Sequence, residues 1–379
     1  MPTQDLSHKS AAIQEHFAEL TDPRTREVVY PLINIVVIAV CAVICGADDF
    51  VAIAKFGRAK KKFLSQFLDL SAGIPSHDRF NAIFAAIKPV EFEKCLLSWI
   101  TALHEITDGQ IVAIDGKTLR RSFDAASSKA AIHMVSAWAT ANSISLGQVV
   151  VDAKSNEITA IPKLLEILEL SGCLVTIDAM GCQTEIAHKI VDGGADYVLA
   201  VKGNQPTLHE GISDFFADHM EDDFARVAVR RHETHQRGHG REEHRYYFLC
   251  PVPENLPDKN RWHKLRAIGI SVNHSFRGGK ETSEVRYYIL SRYLSGRRYA
   301  EAVRGHWGIE NRLHWQLDVT FQEDQSRVRK GHADANFSSL RRTALSLLKN
   351  NRTAKIGIKN KRLAAGWDEH YLTEVLLGK

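Results

Sequence analysis

Apolar positions follow two regimes along this 379-residue chain. Up to about residue 105 they recur every three or four residues, which predicts helices. These cover 13–20, a stretch from Leu32, 50–67, a helix around Phe80 to Phe84 capped by Ser76, and 92–106. The run from Ile35 to Cys45 is the most hydrophobic segment. It falls well short of the roughly 20 residues a membrane span needs, and Asp48 and Asp49 follow it, so it reads as a buried core helix. From residue 111 the pattern shifts to short apolar runs. Strands are predicted at 111–114, 133–139 and 148–153, then a helix at 158–170, a strand at 173–177, a helix at 183–191 and a fifth strand at 197–201. The order β-β-β-α-β-α-β implies a mixed sheet covered by helices. After a helix at 208–216 comes a strand-rich block with runs at 226–229, 245–249, 265–270 and 285–290. Residues 305–329 then read as a long helix with a basic exit, and helices at 340–348 and 363–377 finish the chain. The expected division is a helical region over 1–108 and an α/β region over 109–379, interrupted at about 206–298 by the β-rich insertion.

Composition adds little constraint. With 44% hydrophobic and 25% charged residues the chain is an ordinary globular protein. Its net charge of +4 is too mild to argue for nucleic acid by itself, so local clustering has to decide. Six cysteines form no CxxC pair, and several sit in apolar runs, as reduced core thiols do. Residues 1–30 are polar and mixed in charge, with no signal peptide. The expectation is a soluble, cytoplasmic protein with no membrane partner.

Three carboxylates stand out. Asp115 and Asp178 each follow directly on a buried apolar strand, where the sheet fixes a charge without burying it in the dry interior. Glu310 and His314 lie one turn apart on the 305–329 helix, which also carries Trp307, Ile309, Leu313, Leu317 and Phe321. Taken singly, Asp115-Gly reads as a turn, Asp178 as a cap and Glu310 as half of a helical ion pair. If the two strands are neighbours and the helix crosses their edge, the three would hold two divalent ions about 4 Å apart, the arrangement for in-line phosphoryl displacement. Oxygen ligands favour Mg²⁺, with Mn²⁺ as substitute, over Zn²⁺. Asp318 and Glu323 are the alternatives for the third ligand.

The same residues carry a resemblance. The segments AIDGKTLR at 113–120, VTIDAMGCQ at 175–183, ADYVLAVKGNQ at 195–205, RGHGREEHR at 237–245 and HWGIENRLHWQLDVTFQED at 306–324 resemble the IS4-related bacterial transposases of the ISAs1 family, the H-repeat-associated type. With the helical N-terminal region they cover nearly the whole chain. The resemblance implies a ribonuclease-H-like mixed sheet with helices on both faces, interrupted by a β-rich insertion, and an N-terminal helical domain associated with binding the element ends. It implies a DDE triad of Asp115, Asp178 and Glu310 that cleaves insertion-sequence ends and transfers strands into target DNA. A homodimer in the synaptic complex and a bacterial, nucleoid-associated setting are implied with it. The wider IS4 group places Tyr, Arg and Lys around its glutamate; this chain has Val303, His306 and Leu317 at those positions. The alternatives are an inactive DNA-binding relic and a stand-alone metal-dependent nuclease.

For DNA contacts, clustered Lys and Arg are the guide. Lys117, Arg120 and Arg121 follow Asp115; Lys202, Asn204 and Gln205 follow the fifth strand on a glycine-containing turn; His306, Arg312 and His314 flank Glu310. Lys55, Arg58, Lys60, Lys61 and Lys62 form a basic run that fits a DNA-facing surface or a solvated helix face equally. His232, His235, His239 and His244 raise a zinc site as an alternative, but no cysteine accompanies them and their spacing fits no finger. Arg241, Glu243 and Arg245 alternate along one strand face, so a basic DNA-facing ribbon is the preferred reading. Trp307 and Trp315 are expected to pack on the core rather than stack on a base.

Overall fold

The computed structural model describes residues 13–25, 28–103, 109–119, 122, 131–151, 156–238 and 240–378. The chain divides into two units that do not follow its linear order: one takes residues 1–106, 116–154 and 310–379, the other 107–115 and 155–309.

In the first unit the helix Ala333–Asn350 is the centre. It is buried from Ala333 to Leu348 and packs on the helices Leu32–Ile44, His77–Ala86 and Pro89–Leu103 and on strand β3 (Ile144–Val151). A helix buried all round needs partners for its polar groups. Asn336 Nδ2 donates to Phe84 O (2.7 Å) and Ile87 O (2.9 Å), and Gln148 Nε2 donates to Ser339 Oγ at 2.7 Å. Leu32–Ile44 is buried from Asn34 onward, as its unbroken apolar run requires. Among the described residues no helix is long and apolar enough to cross a membrane. The helix expected over 50–67 breaks at Lys60 into Phe50–Ala59 and Lys61–Leu64. Asp49 caps the first piece, accepting from Ala52 N, and Ser76 caps His77–Ala86 as expected. Strand β2 (His133–Ala139) pairs antiparallel with β3, and the end of β1 (Ile111–Thr118) lies beside it through Leu119 N to Ile132 O at 2.9 Å.

The second unit is built on a sheet of order β1, β4 (Leu174–Ile177), β5 (Asp196–Val201), β9 (Lys280–Leu290), β8 (Ala267–Arg277), β7 (Arg241–Pro251), β6 (Arg230–Gly238). β1, β4 and β5 are parallel; β4, most of β5 and the first four residues of β1 are buried and mostly apolar, as strands covered on both faces must be, and β1 runs on past them through Asp115 to Thr118. The β-rich insertion is not a separate sheet. Its last strand pairs antiparallel with β5, Val198 opposite Leu290, so the β6–β9 meander continues the core sheet. Residues 226–229, expected as a strand, form a turn and its exit; Phe224 in the left-handed conformation (φ 61°) precedes them, and the strand begins at Arg230. β6 is an edge strand of arginine, histidine and glutamate, a composition that discourages pairing with another chain. The helix Gly296–Ile309 packs on β4, β6 and β7.

Candidate active site

The register of β1 and β4 brings two of the expected carboxylates together. Ile114 is the partner of Ile177 in a parallel pair, so Asp115 and Asp178 are the next residues on adjacent strands, at the same end. Neighbouring strands lie about 4.8 Å apart, which makes the two side chains neighbours. Both are half-buried. Asp178 does not cap a helix. Its Oδ1 accepts from the N–H of Met180 (3.1 Å) and Gly181 (3.4 Å), which ties the carboxylate to the turn leaving β4. The helix that follows starts only at Thr184.

That turn is held from the next loop. Asn204 Nδ2 donates to Ala179 O at 2.7 Å and Gln205 Nε2 to Cys182 O at 3.0 Å. The two amides expected on DNA therefore brace the Asp178 turn, while Lys202 beside them is exposed. The turn is also packed without slack: a Cβ on Gly181 would lie 2.3 Å from Ile177 Cγ2 and 2.9 Å from Ile161 Cδ1. On the helix Gly296–Ile309, His306 Nδ1 lies 3.3 Å from Thr176 Oγ1, two residues before Asp178. Burial pulls the His306 ring below its ordinary pKa although the Asp178 charge acts in the other direction. Thr176 had no sequence signal beyond its place on a buried strand.

In the first unit, Glu310 opens a π-helical turn, Glu310–His314, which passes into a short helix, Trp315–Val319. Glu310 is exposed, His314 is buried, and a Glu310 carboxylate oxygen and a His314 ring nitrogen lie within 4.8 Å of each other. Arg312 reaches Thr140 O at 3.3 Å. The two alternative third ligands are engaged elsewhere. Lys117, only 9% exposed, donates to Asp318 and, at 2.8 Å, to Glu323 Oε2. Glu323 is 2% exposed and also accepts from Ser338 Oγ (2.6 Å) and Arg342 (3.2 Å). The lysine expected on the scissile strand is thus held inside an ion-pair cluster. Two arginines inside the apolar run of the 333–350 helix were the available signal for a buried carboxylate.

Among the remaining DNA candidates, Arg241 is exposed, and both Arg241 and Arg245 pair with Glu243, from the β7 face the alternation indicated. Lys55, Arg58, Lys61 and Lys62 are exposed, and Lys60 pairs with Glu369 at 3.1 Å. Arg120, Arg121 and His239 lie outside the described residues. Trp307 and Trp315 are not core residues: they are 40% and 52% exposed, and Arg286 stacks 3.8 Å from the Trp307 ring centre. The apolar stripe beside them, Ile309, Leu313, Leu317 and Phe321, is fully buried.

Comparison with known proteins gives this geometry its context. The family model described as "Transposase DDE domain" matches residues 106–347, and the "DDE_Tnp_1-associated" model matches residues 14–100. "H repeat-associated putative transposase YhhI" of Escherichia coli K12 is 39% identical over 375 residues, covering 97% of this chain and 98% of its own length. "Putative transposase YncI" of Escherichia coli O157:H7 is 41% identical over 372 residues, 96% of this chain and 94% of its own. Among solved structures, the piggyBac transposase synaptic complex with hairpin DNA aligns over 99% of this chain and 78% of that one, with a TM-score of 0.41 and 10% identity, too distant to bear on any residue. With more than half its length matched by the domain model and relatives this similar end to end, the chain belongs to the DDE transposase family.

Proposed function

We propose that Asp115, Asp178 and Glu310 are the catalytic carboxylates of this transposase. In this reading they serve strand cleavage at the ends of an insertion sequence and attack of the freed 3′-hydroxyl on target DNA. The observation that carries the reading is the parallel register of Ile114 and Ile177, which sets Asp115 and Asp178 side by side. Glu310 is supported as the third member by chain continuity. It comes one turn after His306, whose ring touches β4 two residues from Asp178. Asp318 and Glu323 are the weaker choices because Lys117 and Arg342 already occupy them.

A donor set of carboxylate oxygens fits Mg²⁺ or Mn²⁺, and Asp115, Asp178 and Glu310 are the residues that would hold two such ions. Ions there would supply Lewis acidity and charge neutralisation for phosphodiester exchange. The protein's own part is to orient: the Met180 and Gly181 amides fix Asp178, and Asn204 and Gln205 fix the turn that carries those amides. Lys202, Arg241, Arg245 and Arg312 are the cations proposed to meet DNA phosphates. The strand orders β3–β2–β1 and β1–β4–β5 support a ribonuclease-H-like core. A homodimeric synaptic complex and a cytoplasmic setting complete the proposal.

The test is cleavage and strand transfer on DNA carrying the flanking element ends, with Mg²⁺ or Mn²⁺, for wild type and for Asp115→Asn, Asp178→Asn and Glu310→Gln. Metal-dependent cleavage and joining, lost in all three variants while end binding persists, is the expected result. An active Glu310→Gln together with a dead Asp318→Asn would reassign the third ligand. Cleavage without joining would make the protein a nuclease, and end binding without either reaction would make it a relic.

A further inference from the structure

The β6–β7 hairpin has two chemically different faces. Opposite residues share a face, and the register pairs His235 with His244 and Arg237 with Glu242. His235, Arg237, Glu242 and His244 therefore stand on one face, and Arg241, Glu243 and Arg245 on the other. β8 continues the histidine row, since His244 is opposite His274. On this face two imidazoles converge on one carboxylate. Glu242 Oε1 lies 2.7 Å from His235 Nε2 and 3.2 Å from His244 Nε2, and the two rings stack with centroids 4.0 Å apart and planes 19° from parallel. One ligand atom from each of the three residues lies within 4.8 Å of the other two.

We propose that His235, Glu242 and His244 form a second metal site, separate from the carboxylate triad, selective for a borderline divalent cation of the Zn²⁺ or Co²⁺ class. Two imidazole nitrogens and one carboxylate oxygen are a ligand set for such ions, with a fourth position open to water. Mg²⁺ does not compete well, because two of the three donors are nitrogen. Without a cation, each Nε2 that reaches the carboxylate does so as an N–H donor; a cation bound at Nε2 takes the place of that hydrogen, and the neutral ring then carries its proton on Nδ1. Donors around a tetrahedral ion at about 2.0–2.2 Å lie a little over 3 Å apart, so each imidazole nitrogen, now 2.7 and 3.2 Å from the Glu242 oxygen, has to move away from it by less than about one ångström. His235 is nearly half exposed, which leaves an entry path, and Arg237 holds the Glu242 carboxylate in place at 3.0 Å. The sequence raised His235 and His244 as part of a zinc alternative, but not Glu242: the grouping depends on the hairpin register, which brings His235 from one strand against Glu242 and His244 of the other.

The experiment is a Co²⁺ titration of the full-length, tag-free protein in excess Mg²⁺, followed by the visible absorption of low-coordinate Co²⁺. The expected result is one Co²⁺ per chain, displaced by Zn²⁺ and retained in Asp115→Asn. The signal should vanish in His235→Ala and His244→Ala and weaken at least about tenfold in Glu242→Gln. These side chains are partly exposed, so the variants keep their far-ultraviolet circular dichroism. Absence of the absorption in wild type, or its persistence in folded His235→Ala, overturns the proposal.

Discussion

Lys117 and Glu323 are joined by a 2.8 Å hydrogen bond between two side chains that are almost completely buried. Burial alone would raise the Glu323 pKa, but the charges of Arg342 and Lys117 outweigh it and hold the group well below the usual carboxylate range. Asp318 behaves differently: partial burial raises it in spite of Lys117. Lys117 stands two residues beyond Asp115 on β1, so this cluster fixes the end of the strand that carries Asp115.

Glu323→Gln would remove the buried carboxylate that Arg342 and Lys117 share, leaving Lys117 to Asp318 alone. Breaking a buried pair on one side costs roughly 3–5 kcal/mol, and for a chain of this length the melting temperature should fall by roughly 5 °C. Because the folded pKa is depressed, the contribution of Glu323 is complete above its ordinary 4.5 and is lost as the pH falls below it. Thermal unfolding at pH 7 checks the first claim. An unchanged melting temperature with abolished cleavage would instead place Glu323 among the metal ligands.

Gly181→Ala should be damaging for a steric reason. The new methyl collides with the β-branched side chain of Ile177, and overpacking of this kind costs typically 1–3 kcal/mol. The relief available is movement of the turn, which carries the two amides on Asp178. Cleavage should therefore fall at temperatures where circular dichroism still reports a folded protein. Wild-type cleavage in this variant would show that the turn has room.

Glu93 makes stability fall with rising pH. Burial lifts its pKa from 4.5 to about 7, against a hydrogen bond from Ser339 and the nearby Arg342 charge. The folded chain keeps the proton where the unfolded chain loses it, so stability declines from about pH 4.5 to about pH 7 and then levels. Glu93→Gln removes that decline and should be more stable at pH 8, by at most about 3 kcal/mol. Melting temperatures of the two proteins across this window give the answer; parallel curves would refute it.

Arg241 and Arg245 can be tested through salt. If each neutralises one phosphate, replacing either by alanine lowers the slope of log affinity against log salt by about one, regardless of DNA sequence. Both arginines pair with Glu243, and the more exposed Arg241 is the freer of the two to reach a phosphate, so its replacement should approach the full loss and that of Arg245 fall short of it. Filter-binding or anisotropy series at several salt concentrations measure both slopes. Unaltered slopes would take this strand face off the DNA.

The parts of the molecule legible in its sequence are those that local rules determine. Asp115 and Asp178 were visible because each is a polar residue directly after a buried apolar run; that the two runs pair in parallel was only a condition of the sequence reading, and β1 continues past Asp115 to Thr118 where a strand end was expected. What was not legible depends on long-range pairing. Nothing in residues 285–290 says that they return to β5, and nothing around Lys117 says that its partners lie about two hundred residues away. Trp307 and Trp315 misled because an aromatic ring at helical spacing reads as core, whereas the burial goes to the aliphatic stripe beside them. Asn204 and Gln205 carry donors suited to phosphate, yet the nearest acceptors are main-chain carbonyls.

The widened turn at Glu310–His314 has a consequence for how this helix can change over time. Ile309, Leu313, Leu317 and Phe321 are spaced at strict intervals of four, and all are buried. On a regular α-helix each such step overshoots a full turn by about 40°, so over the two helical steps from Ile309 to Leu317 the stripe would turn about 80° away from the core. A π turn takes up the excess residue and keeps the stripe inward. The heading of Glu310 is then fixed by a count of residues as much as by its identity. Substitutions along the outer face leave that count intact. Loss or gain of a single residue between 310 and 314 resets it, turning every side chain beyond by about a quarter turn, so insertions and deletions should be far rarer in this stretch than amino-acid changes.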